Sequence, residues 1–198
     1  LIAWSRDKKG VTFQTEASID LADDDVLMQQ MVEAGFHTVF VGIETPEEAA
    51  LTECNKKQNE HRDLVADVKK IQRAGMQVPG GFHGGFDSRP AAVFQRQIGF
   101  LQQSGIVTAM VGLLQAPQGT RLYQRMAAQG RIRGDSSGDN VEGSTNIEPK
   151  MHISHLQRGY REILDHIYSP KNYYRRIRTL LREHPTPRVR CTITRADI

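Results

Sequence analysis

The sequence predicts an α/β fold of four parallel strands with outer helices, followed by a helical C-terminal extension. One observation is a unit that occurs three times, a helix ending in Ala-Gly or Ser-Gly and then a β-rich run, with its glycines at Gly35, Gly75 and Gly105. Glycine in this place supplies the left-handed turn that ends a helix. A second observation is that the β-rich runs are almost continuously apolar, which is typical of buried parallel strands.

The composition limits the classes of protein to consider. The chain has 198 residues, of which 38% are hydrophobic and 25% charged, so it can bury a core without disulfides. Two cysteines, Cys54 and Cys191, exclude a disulfide framework, a four-cysteine zinc site and a self-contained iron–sulfur cluster. With no membrane span or signal peptide in sight, we expect a cytoplasmic protein. The net charge of +3 is weak evidence for a nucleic-acid partner, and we predict none.

The first predicted element is the last turn of a helix. Leu1–Trp4 supplies its apolar residues and Gly10 follows it, after which Val11–Thr15 has the composition of a strand. Residue 1 is leucine instead of methionine, so we expect a piece of a longer protein that begins at a helix–strand junction. The alternative is a processed mature N-terminus.

The three repeated units supply the other strands of the sheet. The second helix, for example, has Val65, Val68 and Ile71 at helical spacing. Right-handed crossovers between parallel strands place the helices outside the sheet. The sequence predicts the helix–strand pairs 28–35 with 36–42, 64–75 with 76–82, and 94–105 with 106–114. Four strands are too few to close a barrel, which predicts missing N-terminal strands, and a complete open sheet is the alternative.

The pattern changes after about residue 130, so we divide the chain into residues 1–130 and 131–198. A long loop rich in Gly, Asp, Ser and Asn covers 130–144, and two helices follow, separated at Ser169-Pro170. Arginines and tyrosines alternate in these helices. We expect the tyrosines to pack in the core and the arginines to form a solvated face, with a nucleic-acid surface as the alternative. The tyrosines are Tyr160, Tyr168, Tyr173 and Tyr174, and the arginines are Arg158, Arg161, Arg175, Arg176, Arg178 and Arg182.

Candidate functional residues lie where the strands end, because the carboxyl ends of parallel strands gather the loops that bind ligands. Glu16 and Glu44 are carboxylates that can accept hydrogen bonds from a ribose or an amino group, and His83 lies on the same rim. The third strand ends in glycines that let a flat ring approach the backbone, Gly80, Gly81, Gly84 and Gly85. The chain has no phosphate-binding loop motif. His152 and His155 lack a third ligand, so we predict no metal site.

Several motifs together resemble the C-terminal part of radical S-adenosylmethionine (radical SAM) enzymes, in the subgroup with a cobalamin-binding domain. This subgroup includes enzymes labelled magnesium-protoporphyrin IX monomethyl ester oxidative cyclases, and hopanoid methylases. The motifs are Phe13-Gln14-Thr15-Glu16-Ala17-Ser18, Val41-Gly42-Ile43-Glu44-Thr45-Pro46, Cys54-Asn55-Lys56-Lys57-Gln58-Asn59, Gly80-Gly81-Phe82 with Gly85-Phe86-Asp87-Ser88, and Gly112-Leu113-Leu114-Gln115-Ala116-Pro117. Ser137–Asn140, Pro149–Met151 and Ile167–Tyr174 resemble the extension of that subgroup.

The resemblance implies that the chain supplies strands three to six of a six-stranded partial TIM-like barrel, (β/α)6, and part of a SAM pocket and substrate cavity. Lys56 matches a basic residue that can face the cofactor carboxylate, and the glycine motif is expected beside the adenine. His83 and Gly84 depart from the family pattern there. The residues that the resemblance assigns to the cofactor are Glu16, Ser18, Glu44, Lys56, Gly80, Gly81, Gly85 and Gln115.

One departure decides what the chain can do by itself. The C-x-x-x-C-x-x-C motif that ligates the family's 4Fe-4S cluster is absent, as is the cobalamin domain. We therefore expect cluster and cobalamin to be bound by other parts of the same polypeptide, and this chain alone to be inactive. The expected reaction is an oxidation, cyclisation or methylation of a small molecule such as a tetrapyrrole or a lipid. The alternative function is a non-catalytic module whose basic helices bind RNA or an acidic partner.

Overall fold

The computed structural model describes residues 1–6, 8, 10–88 and 92–185. Four strands form one parallel sheet in the order β1-β2-β3-β4. The strands are β1 (Phe13–Ala17), β2 (Phe36–Glu44), β3 (Gly80–Gly84) and β4 (Ala109–Leu113). The predicted α/β class with four parallel strands is confirmed.

Eight α-helices are found in the described part of the chain, and two of them, α3 and α6, were not predicted. The helices are α1 (Ile2–Ser5), α2 (Asp25–Ala34), α3 (Glu48–Glu53), α4 (Leu64–Ala74), α5 (Val93–Ser104), α6 (Arg121–Ala128), α7 (Ile153–Ile167) and α8 (Pro170–Glu183). Short 3-10 turns cover Ile19–Asp23 and Lys57–Asn59. Helices α2, α4 and α5 end at Gly35, Gly75 and Gly105 with φ of 100°, 116° and 73°, as the repeated unit predicts.

The main core lies between the sheet and the helices on one of its faces. Val39, Val41 and Ile43 of β2 are fully buried there, in one cluster with residues of α4 and α5. Because side chains alternate along a strand, Phe40 and Gly42 lie on the opposite face. We call this opposite face the inner face, and it carries the candidate site.

Strand β3 begins four residues later than predicted and β4 begins three residues later. The hydrogen bonds at the start of β4 give the reason for β4. The carbonyls of Ile106 and Val107 accept hydrogen bonds from the Arg176 guanidinium at 2.8 and 3.2 Å. The Tyr168 hydroxyl bonds both backbone groups of Ala109, donating to its carbonyl at 2.8 Å and accepting from its N–H at 3.1 Å. Side chains of the extension therefore occupy this end of β4.

The C-terminal extension packs on α5 and β4 and adds Leu156, Ile163 and Ile167 to the main core. The expectation of a wholly solvated arginine face is wrong at Arg176, which is fully buried. Its desolvation is offset by the two carbonyls and by Tyr168 and Tyr173, whose rings lie 5.9 and 5.7 Å away.

The tyrosines also differ from the expectation. Tyr160 and Tyr173 are partly buried, but Tyr168 and Tyr174 are 43% and 63% exposed, so core packing is the wrong explanation for the last two. The predicted helix end at 184–187 lies partly outside the described residues, and Cys191 lies wholly outside them. Across the described residues, no helix combines the length and the apolar character needed to cross a membrane.

Candidate functional site

Glu44 is the centre of a charged cluster on the inner face. It is the last residue of β2, and its φ of 65° is left-handed. One carboxylate oxygen accepts a hydrogen bond from Lys56 Nζ at 2.9 Å, and the other contacts His83 Nδ1 at 2.8 Å. The three side chains are 19 to 27% exposed. Two potential cations therefore share one half-buried carboxylate at the carboxyl ends of two neighbouring strands.

The electrostatics of this cluster favour an ionised Glu44. Burial by itself raises the pKa of the carboxyl, but hydrogen bonds from His83 and Lys56, together with their charge, outweigh burial and lower the pKa from 4.5 to about 2. Because Nδ1 of His83 contacts Glu44, its Nε2 is the free ring nitrogen, and it bonds no described residue. Lys56 likewise has two of its three N–H groups left to donate.

Asn59 holds the segment that carries Lys56 against the end of β2. Its side chain is 1% exposed, and its amide nitrogen donates to the carbonyls of Gly42 at 3.1 Å and Ile43 at 3.0 Å. These two carbonyls directly precede the left-handed turn at Glu44. Asn59 therefore fixes both the turn and the distance between Glu44 and Lys56, while its own oxygen has no partner among the described residues.

Two glycines let other side chains lie directly on this part of the inner face. A Cβ at Gly42 would lie 2.7 Å from the Glu44 carboxylate and 3.0 Å from Lys56 Nζ, so any side chain there would displace the ends of both side chains. A Cβ at Gly81, the register partner of Gly42, would lie 2.9 Å from the ring of Phe40. The two glycines are needed to bring the charged groups and the ring together above the strands.

Glu16 and Ser18 are not in contact with this cluster. Glu16 is exposed on the inner face, and it pairs in register with Phe40, four residues before Glu44. At about 3.3 Å per residue, it lies roughly 13 Å lower along the strands. The hydroxyl of Ser18 is buried without a hydrogen-bond partner in the described part of the chain.

Gln115 is engaged by the long loop that follows α6. Its side-chain nitrogen donates to the carbonyl of Asp139 at 2.9 Å, and its oxygen accepts from the Ser136 hydroxyl at 2.7 Å. A Cβ at Gly112 would overlap the carbonyl oxygen of Asn140. The loop therefore covers the inner face at the end of β4, and Gln115 holds it there.

Gly80 and Gly85 lie at the two ends of the third-strand motif. Gly80 is buried, and a Cβ there would lie 2.7 Å from the Phe82 ring. Gly85 directly follows β3, and its φ of 100° is left-handed. A Cβ there would lie 3.2 Å from Leu156.

Two features of the site were not predicted from the sequence. Asn59 lies inside a quoted motif, but no role was assigned to it. The bond between His83 and Glu44 joins residues 39 positions apart. The available signal for His83 was its position two residues after Gly81, which places both on the same face of β3.

Comparisons with known proteins identify relatives for nearly the whole chain. A family model described as a domain of unknown function, DUF4070, matches residues 120–196. An uncharacterized methyltransferase of Synechocystis, sll1242, is 38% identical over 81% of this chain and 30% of its own length. The hopanoid C-2 methylase of Rhodopseudomonas palustris is 29% identical over 89% of this chain and 33% of its own length. The chain thus spans about a third of the curated relatives that it matches.

The predicted resemblance to the hopanoid methylases is confirmed by these relatives. Among solved structures, methylornithine synthase (PylB) aligns with a TM-score of 0.45 and 12% identity, over 83% of this chain and 48% of that one.

Proposed function

We propose that this chain forms part of the SAM pocket and substrate cavity of a radical SAM methylase. The observation that carries the proposal is the Glu44–Lys56–His83 cluster on the inner face, in a chain whose relatives are named a methyltransferase and a hopanoid methylase. Methylation is favoured over cyclisation because both names describe methyl transfer. The relatives' greater length supports a larger protein in which the remaining strands complete a partial barrel.

The residues present fit S-adenosylmethionine. Lys56 has N–H groups free to donate to a carboxylate, and the Ser18 hydroxyl is buried and unpartnered among the described residues. Gly42 and Gly81 let the Glu44–Lys56 pair and the Phe40 ring lie directly on the strand surface, where the cofactor would contact them. In this proposal Lys56 binds the cofactor carboxylate, Glu44 holds Lys56 in place, and Gly81 lies beside the adenine. The expectation for Gly80 and Gly85 is changed, because their Cβ positions face Phe82 and Leu156 of the main core and they support the pocket from behind. Glu16 takes one outer end of the pocket, and at the other end Gln115 acts through the loop that it holds.

The residues do not fit the 4Fe-4S cluster. Two cysteines cannot supply its three thiolates. Of these two, Cys54 lies in the described residues, where burial and then the charge of Glu44 raise the pKa of its thiol and disfavour the thiolate form that binds metals. We therefore place cluster and cobalamin on other parts of the polypeptide, and this chain alone is inactive.

A titration of the 198-residue chain with S-adenosylmethionine, followed by NMR, tests the proposal. Signals of Gly81 and of the His83 ring should shift, and K56Q should weaken binding at least tenfold. K57Q removes the same charge from the neighbouring exposed lysine and should bind like the wild type. No shift at Gly81 and His83, or equal binding by K56Q, would reject the pocket.

The enzymatic part of the proposal has its own test. A polypeptide that carries this chain together with the cluster, reconstituted without oxygen, should form 5′-deoxyadenosine or S-adenosylhomocysteine. The formation of neither product, with cluster and cobalamin intact, would reject the reaction.

A further inference from the structure

One face of α8 combines exposed apolar side chains with cations that form no ion pair with the described residues. At about 100° per residue, six exposed residues fall within a third of the helix circumference. They are Lys171, Tyr174, Arg175, Arg178, Leu181 and Arg182, and we call them the α8 outer face. The opposite side of α8 is anchored by the buried Arg176 and Leu180. Tyr174 and Leu181 are 63% and 68% exposed, so neither contributes much to the packing of the described structure.

The charges of the α8 outer face are not compensated within the described residues. Its four cations form no ion pair there, whereas the nearby carboxylate of Glu183 is already bound by Lys69 at 3.3 Å and Arg73 at 2.8 Å. Four positive charges along three turns of one helix repel each other and attract a dense anionic surface.

A groove of about 820 Å³ runs beside these cations, between α8, α4 and α5. Lys69 and Gln102 line it together with the cations of α8. Both side-chain polar atoms of Gln102 are buried and have no hydrogen-bond partner among the described residues. Because these two atoms are covered, it is the cations lining the groove that suit a phosphate group.

We propose that the α8 outer face docks on a membrane surface rich in anionic phospholipid. Clusters of four or more Lys and Arg residues on an amphipathic helix bind such surfaces, and the long basic side chains stay at headgroup level. Tyr174 and Leu181 lie on the same edge of the cationic strip, about two helical turns apart. They enter the boundary between headgroups and acyl chains, where tyrosine is enriched and leucine leaves water.

The exposed leucine distinguishes a lipid surface from a nucleic acid. Arginine and tyrosine also serve single-stranded RNA, through phosphate contacts and base stacking. Leu181 gains nothing from a phosphodiester chain, but its burial in acyl chains is favourable in proportion to its apolar area. The combination of Leu181 with four cations therefore favours the lipid surface.

Sedimentation of the 198-residue chain with lipid vesicles tests the proposal. The chain should sediment with vesicles of phosphatidylglycerol and phosphatidylcholine but not with phosphatidylcholine alone, and salt should weaken binding. R175Q/R178Q should lower the partition coefficient about 30-fold, since each basic residue contributes about fivefold. The matched control is R158Q/R161Q, which removes two exposed charges from α7 and should change it less than threefold.

L181S keeps every charge and separates insertion from simple attraction. It should lower partitioning about fivefold, because a large part of the apolar side chain no longer leaves water. All these side chains are exposed, and circular dichroism verifies that each variant folds. Equal effects of the two arginine pairs, an unchanged L181S, or binding of a single-stranded RNA through the same arginines with no vesicle binding would overturn the proposal.

Discussion

Neutralising the carboxylate at the centre of the charged cluster should change how stability depends on pH. In E44Q the amide oxygen can serve one of the two donors, and the amide nitrogen faces the other, so at least one charge-assisted hydrogen bond is lost. In the wild type these bonds lower the pKa of Glu44 from 4.5 to about 2. At about 1.4 kcal/mol per pH unit, the ionised carboxylate contributes about 3 kcal/mol to the free energy of unfolding.

The direction follows from linkage. A carboxyl whose pKa is lower in the folded state stabilises the protein above pH 4.5, and the contribution disappears as the pH falls towards about 2. The free energy of unfolding of the wild type should therefore exceed that of E44Q by about 3 kcal/mol near neutral pH. This difference should shrink towards zero near pH 2. Urea denaturation at a series of pH values measures it.

An exposed carboxylate on the same face provides the control. Glu16 accepts no hydrogen bond from a described side chain, so E16Q should follow the wild-type curve. If the difference in the free energy of unfolding between wild type and E44Q stayed constant from pH 4.5 to about 2, the assignment of this stability to the ionised carboxylate would be refuted.

Two further predictions concern the parts that frame the cluster. N59A removes the hydrogen bonds to the carbonyls of Gly42 and Ile43, of which the latter still accepts from the Thr45 N–H, and should lower the free energy of unfolding by about 1–2 kcal/mol in urea denaturation. A loss below about 0.5 kcal/mol would contradict its positioning role. G112A should displace the loop at Asn140 and speed hydrogen exchange of its amides, whereas G99A, with open space around its Cβ, should leave exchange unchanged. Equal exchange in the two variants would show that the loop does not depend on Gly112.

Helix ends were predictable from the sequence because their cause is local. Gly35, Gly75 and Gly105 each adopt a conformation that other residues avoid, so the signal lies in one residue type at one place. Strand starts were not predictable in the same way. The first residues predicted for β4 are bonded by Tyr168 and Arg176, which lie some 60 to 70 positions away.

The candidate site was only partly predictable, because some of its contacts join distant parts of the chain. Glu44 was predicted from its position at a strand end and Lys56 from the family resemblance, and the structure joins them over 12 positions. The contribution of His83 depends on the register between β2 and β3, which composition and spacing do not determine. The burial of Arg176 was not predictable either. Its neighbours in the sequence are exposed arginines, and its burial depends on carbonyls supplied by another segment.

The contacts at the start of β4 also determine how the sheet could be extended. β4 is an edge of the described sheet, and edge strands normally offer unpaired backbone groups to any passing strand. Here one tyrosine hydroxyl acts as both donor and acceptor for Ala109 and so takes the place of a neighbouring strand. The start of this edge is therefore occupied by side chains, which favours extension of the sheet by addition next to β1.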